Sequence, residues 1–290
     1  MIEKARPDAV DVLDDLDARP GSATSLLRTI VGAVLRERGG WLPTRVIVVA
    51  MAALGVSESR ARTALTRVKS KGLLVPESRG GRPGYRIAEA AVPMLERGDR
   101  RIHHPRIMDD QDQRWCLISF SIPETQRDAR HQLRKRLSWI GAGTVTPALW
   151  ITPDFLREEV AEIVGGLGLD ERVTLFVTDE VHSRAAPREQ LVSEWWDLDG
   201  IRGLHDAFLR QHRADLDALG PSPAPRDAFA IWIAALDTWR PIPYLDPGLP
   251  AALLPEDWPG RQSVPLFLRL RDAARGGASL YIEGLVGDGA

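Results

Sequence analysis

Between Ser57 and Arg86 the chain carries eight cations: Arg60, Arg62, Arg67, Lys69, Lys71, Arg79, Arg82 and Arg86. Only two acids, Glu58 and Glu77, stand among them, a local charge of +6 on a chain whose net charge is −2. The chemistry open to such a run is the holding of anions. A guanidinium offers forked donors that match a phosphate or the edge of guanine. The neutral members Ser59, Thr63, Thr66 and Ser70 are short and polar, so a helix bearing them can bring its backbone close to base edges.

The spacing sorts these residues. Gly55 stops one element and Ser57 is a good N-cap for the next. At about 100° per residue, Ala61, Ala64, Leu65 and Val68 share one side of that helix. Ser59, Arg62, Thr63, Thr66 and Ser70 take the other, with Arg67 at its flank. Lys71-Gly72 closes the helix, a cation on the C-terminal dipole followed by a residue suited to the left-handed cap. Leu73–Val75 and Tyr85–Ile87 read as short strands joined by the Gly-rich stretch Pro76–Gly84, with Arg79 and Arg82 at its tip. The expectation is a recognition helix and a cationic wing. Arg62, Thr63, Thr66 and Arg67 would enter the major groove of double-stranded DNA, with Ser59 near a phosphate. Arg79 and Arg82 would hold phosphates without reading bases. The plain alternative is a solvated helix followed by an ordinary hairpin.

Other elements must position these residues. Leu26, Leu27, Ile30, Val31, Val34 and Leu35 give an amphipathic helix over Ser22–Arg38, ended by Gly39-Gly40. A second helix is expected from about Pro43 to Leu54, with Pro in its first turn. Three helices and a wing make a winged helix-turn-helix. Further on, Arg114–Ile122, Thr144–Thr152 and Arg172–Thr178 read as strands, with helices over Thr125–Ile140 and Asp154–Leu167 between them. The order βαβαβ fits a ferredoxin-like α/β sandwich. The last third is helical and rich in tryptophan: a helix over Glu189–Leu219 broken at Asp199-Gly200, one over Arg226–Arg240, and one over about Gln262–Ala274. The predicted fold is therefore α+β and multidomain. It comprises a disordered acidic tail (1–21), a winged helix (22–87), a basic connector (88–110), a ferredoxin-like domain (111–182) and a mostly helical C-terminal domain (183–290), to which the family resemblance given below adds a role in effector response.

Composition excludes several classes. No apolar run reaches the ~20 residues that span a bilayer. The acidic N-terminus lacks the apolar core of a signal peptide, and a single cysteine, Cys116, allows no internal disulfide, so a cytoplasmic protein is expected. Residues 22–107 carry +10 and residues 108–290 carry −9, the pattern of a basic module on an acidic body. No Gly-rich phosphate loop, nucleophile elbow or metal-spaced His/Cys cluster appears, so no catalytic residue, metal or cofactor is assigned. His103-His104 lacks further ligands at suitable spacing, and His205 and His212 could share a helical face. An enzyme using the C-terminal half and a non-regulatory nucleic-acid scaffold are the competing readings.

Four stretches resemble a known family: GVSESRARTALTRVKSKGLL, RWCLISFSIPE, LRKRLSWIGAGTVTPALWITP and DTWRPIPYLDPGLPAALLPEDWPG. Over about residues 22–285 the chain resembles the PaaX family of bacterial repressors of phenylacetate breakdown. The resemblance implies a homodimer that represses a catabolic operon until an aromatic acyl-CoA, such as phenylacetyl-CoA, releases it. It also implies a central domain similar to the CRISPR spacer-acquisition nucleases. Those use an Asp near the end of the first strand, where this chain reads Ile118-Ser119-Phe120-Ser121-Ile122, so cleavage is not expected. For the effector, Trp195, Trp196, Trp232 and Trp239 could wall an aromatic pocket and Arg240 could meet an anionic group. The alternative is that these tryptophans are core residues.

Overall fold

A computed structural model describes residues 19–110 and 113–287. The tail expected over 1–21 lies outside the described residues as far as position 18. The chain forms two units. One takes the N-terminal part to His103, Phe208–Arg240 and the chain from Gln262; the other takes His104–Ala207 and Pro241–Arg261. The stretch expected as one module over 183–290 is thus shared between the units.

The first unit begins with α1 (Ala23–Ile30), capped by the Ser22 hydroxyl, which accepts from the Ser25 amide at 3.2 Å. The winding loosens to a π-helix over Val31–Leu35, tightens over Arg36–Arg38 and stops at Gly39, φ 69°. Helices α2 (Thr44–Ala53) and α3 (Glu58–Ser70) follow. Strands β1 (Trp41–Pro43), β2 (Leu74–Arg79) and β3 (Arg82–Ile87) form an antiparallel sheet in the order β1-β3-β2. Strand β1 has no counterpart in the sequence reading, since three residues ending in proline carry no period. Its Trp41 lies so close to β3 that a Cβ on Gly84 would sit 2.7 Å from the indole and 2.5 Å from the Leu42 carbonyl. The wing strands run longer than expected, and their turn is only Gly80-Gly81, at φ 58° and 75°. Most of the connector is helical, as α4 (Val92–His103).

The second unit holds an antiparallel sheet of β4 (Trp115–Phe120), β5 (Gly143–Thr146), β6 (Leu149–Pro153) and β7 (Val173–Thr178), in the order β5-β6-β4-β7. The stretch Thr144–Thr152, expected as one strand, is a hairpin turning at Pro147-Ala148, because proline cannot donate to a continuous ladder. Helices α5 (Arg127–Trp139) and α6 (Arg157–Gly166) cover one face, with Leu133, Leu137, Val160 and Val164 packed on Cys116, Ile118 and Phe120. Burial there pushes the Cys116 thiol up to about 11. On the other face Trp115 and Ile151 meet Trp196, Leu249, Leu253 and Trp258. A strand buried on both sides reads as a continuous apolar run, which is how Trp115–Phe120 reads. The proline-rich stretch 241–261 is one of its covers.

Helices α7 (Arg188–Trp195) and α8 (Leu198–His212) follow the sheet. The break between them falls at Trp196-Asp197 rather than at Asp199-Gly200. Asp197 Oδ1 accepts from the Gly200 amide at 2.9 Å, which places Gly200 in the first turn of α8. From Phe208 the chain belongs to the first unit, with α9 (Asp215–Leu219) and α10 (Pro225–Trp239). A short α11 (Ile242–Leu245) lies in the second unit. The last helix, α12, extends over Gly260–Gly287, well beyond the expected end at Ala274. Glycines in its second half look like terminators in the sequence, but a Cβ on Gly277 would lie 2.7 Å from that of Ala228, so this one marks a close helix crossing.

Candidate nucleic-acid interface

Helix α3 separates its residues by character. Ala61, Ala64, Leu65 and Val68 are buried, whereas Ser59, Arg62, Thr63, Thr66 and Arg67 are exposed. Ser57 has the extended backbone of an N-cap, but its hydroxyl faces that of Ser59 at 3.3 Å instead of an amide. The C-terminal end closes through Gly72, φ 76°, with the Leu73 amide donating to the Val68 carbonyl at 3.3 Å. Thr63 and Thr66 turn their hydroxyls back to the carbonyls of Ser59 and Arg62, at 3.0 and 3.1 Å, leaving their methyl groups as the outward surface. Arg62 donates to Glu58 at 2.9 and 2.7 Å. An exposed pair one turn apart contributes only about 0.3–0.5 kcal/mol, so a base or phosphate can draw Arg62 away at small cost.

The wing adds a second cationic element. Arg79 and Arg82 face each other across the Gly80-Gly81 turn. Like charges directly opposite are unfavourable. Arg79 is steadied by an ion pair with Glu77 and by the Trp41 ring, 5.4 Å from its guanidinium carbon. Glu77 also pairs with Arg86 at 3.0 Å. A groove of about 640 Å³ lies between α1 and α3, lined by Arg28 from one helix and Arg60 and Arg67 from the other.

A buried polar network, not foreseen from the sequence, fixes α1. Asp237 of α10, 1% exposed, accepts from Ser25 Oγ at 2.6 Å, Thr29 Oγ1 at 2.7 Å and the Gly21 amide at 2.7 Å. Arg240 donates to Ser25 Oγ at 3.2 Å and to Asp237 at 3.4 Å. A signal was present in the sequence: Asp237 falls four residues after Ile233 and eight after Phe229, on the apolar stripe of its helix. A carboxylate at such a position must be hydrogen-bonded when buried.

The residues expected to meet an effector are divided between the two units. Trp195 and Trp196 belong to the second unit, and Trp232, Trp239 and Arg240 to the first. Trp196 is buried and donates to the Gly141 carbonyl at 2.7 Å. Trp239 stacks on Phe267 with centroids 4.4 Å apart and donates to the Ile102 carbonyl at 3.1 Å. Trp232 stacks on the same phenylalanine at 5.9 Å. Trp195 is partly exposed, 6.3 Å from Trp196. His205 and His212 also fall in different units, each buried against its own carboxylate: Asp246 at 2.9 Å and Asp215 at 2.8 Å. Burial lowers the His212 pKa, an effect that Asp215 opposes in part.

Comparison with known proteins covers nearly the whole chain. Residues 22–91 match a family model described as PaaX-like protein, residues 108–192 the PaaX protein central Cas2-like domain, and residues 196–284 the PaaX-like protein C-terminal domain. The transcriptional repressor PaaX of Escherichia coli (strain K12) is 26% identical over 273 residues, which is 92% of this chain and 85% of that protein. Among solved structures, the uncharacterized protein Rv0674 from Mycobacterium tuberculosis shares the fold with a TM-score of 0.51 and 23% identity, over 90% of this chain and 99% of that one. With three of its models in register along one sequence, the chain belongs to the PaaX family.

Proposed function

We propose that this protein is a transcriptional repressor of a catabolic operon and that it holds double-stranded DNA through a winged helix-turn-helix at 22–87. The observation that carries this reading is the division of α3: an apolar face buried beneath, and Ser59, Arg62, Thr63, Thr66 and Arg67 exposed above. The hairpin bearing Arg79 and Arg82 supplies phosphate contacts beside it. The curated relative is named a transcriptional repressor, which supports the same reading. Residues 111–182 are read as a ferredoxin-like module, supported by the strand order and by two helices in one cluster on one face. Its role here is assembly and not catalysis. One recognition helix covers too few bases for operator specificity, so a homodimer on paired half-sites is proposed. The edge strand β7 exposes Phe176 and Val177, at 53% and 39%, and offers the surface for it.

The effector in this reading is an aromatic acyl-CoA such as phenylacetyl-CoA. Its response is placed in the aromatic C-terminal helices. Trp232, Trp239, Arg240 and Asp237 lie on or just beyond α10, the helix that holds α1, so a ligand that moves α10 acts on the neighbour of α3. The test is a mobility shift with DNA from upstream of the protein's own gene. Phenylacetyl-CoA should release it, and coenzyme A alone should not. Binding that no acyl-CoA alters would favour a nucleic-acid scaffold without an effector.

A further inference from the structure

The two arginines at the tip of the wing stand in different surroundings. Arg82 is exposed and makes no ion pair or cation–π contact among the described residues. Arg79, directly opposite it, sits in a seat. Its Nε–H donates to Glu77 Oε1, and its guanidinium carbon lies 5.4 Å from the centre of the Trp41 ring. The second oxygen of Glu77 takes the Nε of Arg86 at 3.0 Å, so the carboxylate is shared between two arginines. One face of the Arg79 guanidinium is thus covered by the ring and its Nε edge by Glu77. Its two terminal nitrogens have no hydrogen bond to a described residue. That end of a guanidinium is the one that can grip both free oxygens of a single phosphate. All three strands build the seat. Trp41 belongs to β1, its indole lies against Gly84 of β3, and its Nε1 donates to the Glu77 carbonyl of β2 at 3.1 Å. The ring fits there because position 84 has no Cβ.

We propose that Trp41, with Glu77, is a positioning residue for DNA: the seat presets Arg79, so that this arginine, ahead of Arg82, holds a backbone phosphate. The phosphate contact rests on the DNA-binding reading of the wing; the seat does not. A mobile arginine loses its rotamer freedom when it takes hold of a phosphate, which weakens binding by about two- to tenfold per side chain. Arg79 has met most of that loss in the free protein, and Arg82 has not. The two carry the same charge and displace the same number of counterions. They therefore differ in what they add to affinity and not in what they add to its salt dependence. Trp41 carries no charge, so its effect on DNA passes through Arg79 alone and leaves the salt dependence unaltered.

Two readouts in the full chain test this. The first needs no DNA: by NMR the Arg79 Nε–H should exchange with water more slowly than that of Arg82, and Trp41→Leu or Glu77→Ala should remove the difference. Equal exchange in the wild type overturns the seat and the proposal with it. The second is a double-mutant cycle on affinity for a mixed-sequence duplex. Trp41→Leu should weaken binding about two- to fivefold with the salt slope of the wild type. Arg79→Ala should weaken it further, and more than Arg82→Ala does, with a slope lower by about one unit. Adding Trp41→Leu to Arg79→Ala should change nothing more. Trp41→Phe, which keeps an aromatic face, should bind within about twofold of the wild type. A Trp41→Leu loss that persists without Arg79 shows that the ring merely supports the hairpin, and overturns the proposal; so does a Trp41→Leu protein that binds as the wild type does. Binding that depends on Arg62 but not on Arg79 overturns the proposal and keeps the α3 reading, whereas binding that depends on neither removes both.

Discussion

Ser25 Oγ donates to Asp237 Oδ1 at 2.6 Å, across 212 residues of sequence and with both residues at most 1% exposed. The bond ties the first helix to a helix of the last third. α1 is also the helix on which α3 packs. The C-terminal segment is therefore part of the platform that presents the basic face. The Asp237→Ala change removes the acceptor of Ser25, Thr29 and the Gly21 amide, and with it the carboxylate that pairs with Arg240. The expected loss is roughly 3–5 kcal/mol by chemical denaturation, against about 1 kcal/mol for Ser25→Ala. A loss below about 1 kcal/mol for Asp237→Ala contradicts a structural role for the network.

The wing arginines should act without regard to sequence. Arg79 and Arg82 flank a glycine turn and have no neighbouring reader of base edges. Replacing one with Ala should lower affinity for all duplexes alike and reduce the slope of log affinity against log salt by about one unit. Salt titrations on operator and mixed-sequence DNA check this. A variant that loses sequence preference with its slope intact contradicts it.

The face of α3 was legible because helical phase alone sorts Ala61, Ala64, Leu65 and Val68 from Ser59, Arg62, Thr63 and Thr66. The end of that helix at Lys71-Gly72 was legible for a local reason too. What escaped was decided by distant partners. Strand β1 exists because Trp41 pairs with Arg86. The Thr144–Thr152 hairpin needed Pro147 to be weighed against an apolar run. Gly277 resembles a helix stop until Ala228 is seen beside it. Asp237 drew no notice because a carboxylate on a helix is usually solvated, and its buried partners are over two hundred positions earlier.

His212 gives the fold a defined response to acid. Burial first, opposed in part by Asp215, places its native pKa below the ordinary 6.5. Below that value the unfolded chain takes up a proton that the native chain refuses, so this histidine removes stability as pH falls from about 6.5. Denaturation midpoints at about pH 7.5 and 5.5 should differ more in the wild type than in His212→Gln. Equal differences would show that another group carries the acid sensitivity.

Phe176 and Val177 stand exposed on the edge strand β7. If that edge joins two copies, Phe176→Glu should shift the chain toward a species of about half the mass by light scattering. A wild-type chain already at its own mass of 32.1 kDa, with and without DNA, contradicts the dimer.

The central claim is that the exposed face of α3 reads DNA, and Arg62 tests it most directly, because Glu58 holds it in a pair that DNA must break. The measurement is operator affinity at fixed salt for the wild type, Arg62→Ala and Glu58→Ala. Loss of a bidentate base contact should cost Arg62→Ala roughly 1–3 kcal/mol and relax sequence preference, while Glu58→Ala, which releases the arginine and removes a negative charge, should bind as well as or better than the wild type. Unchanged affinity and preference in Arg62→Ala would contradict the assignment of this face to DNA.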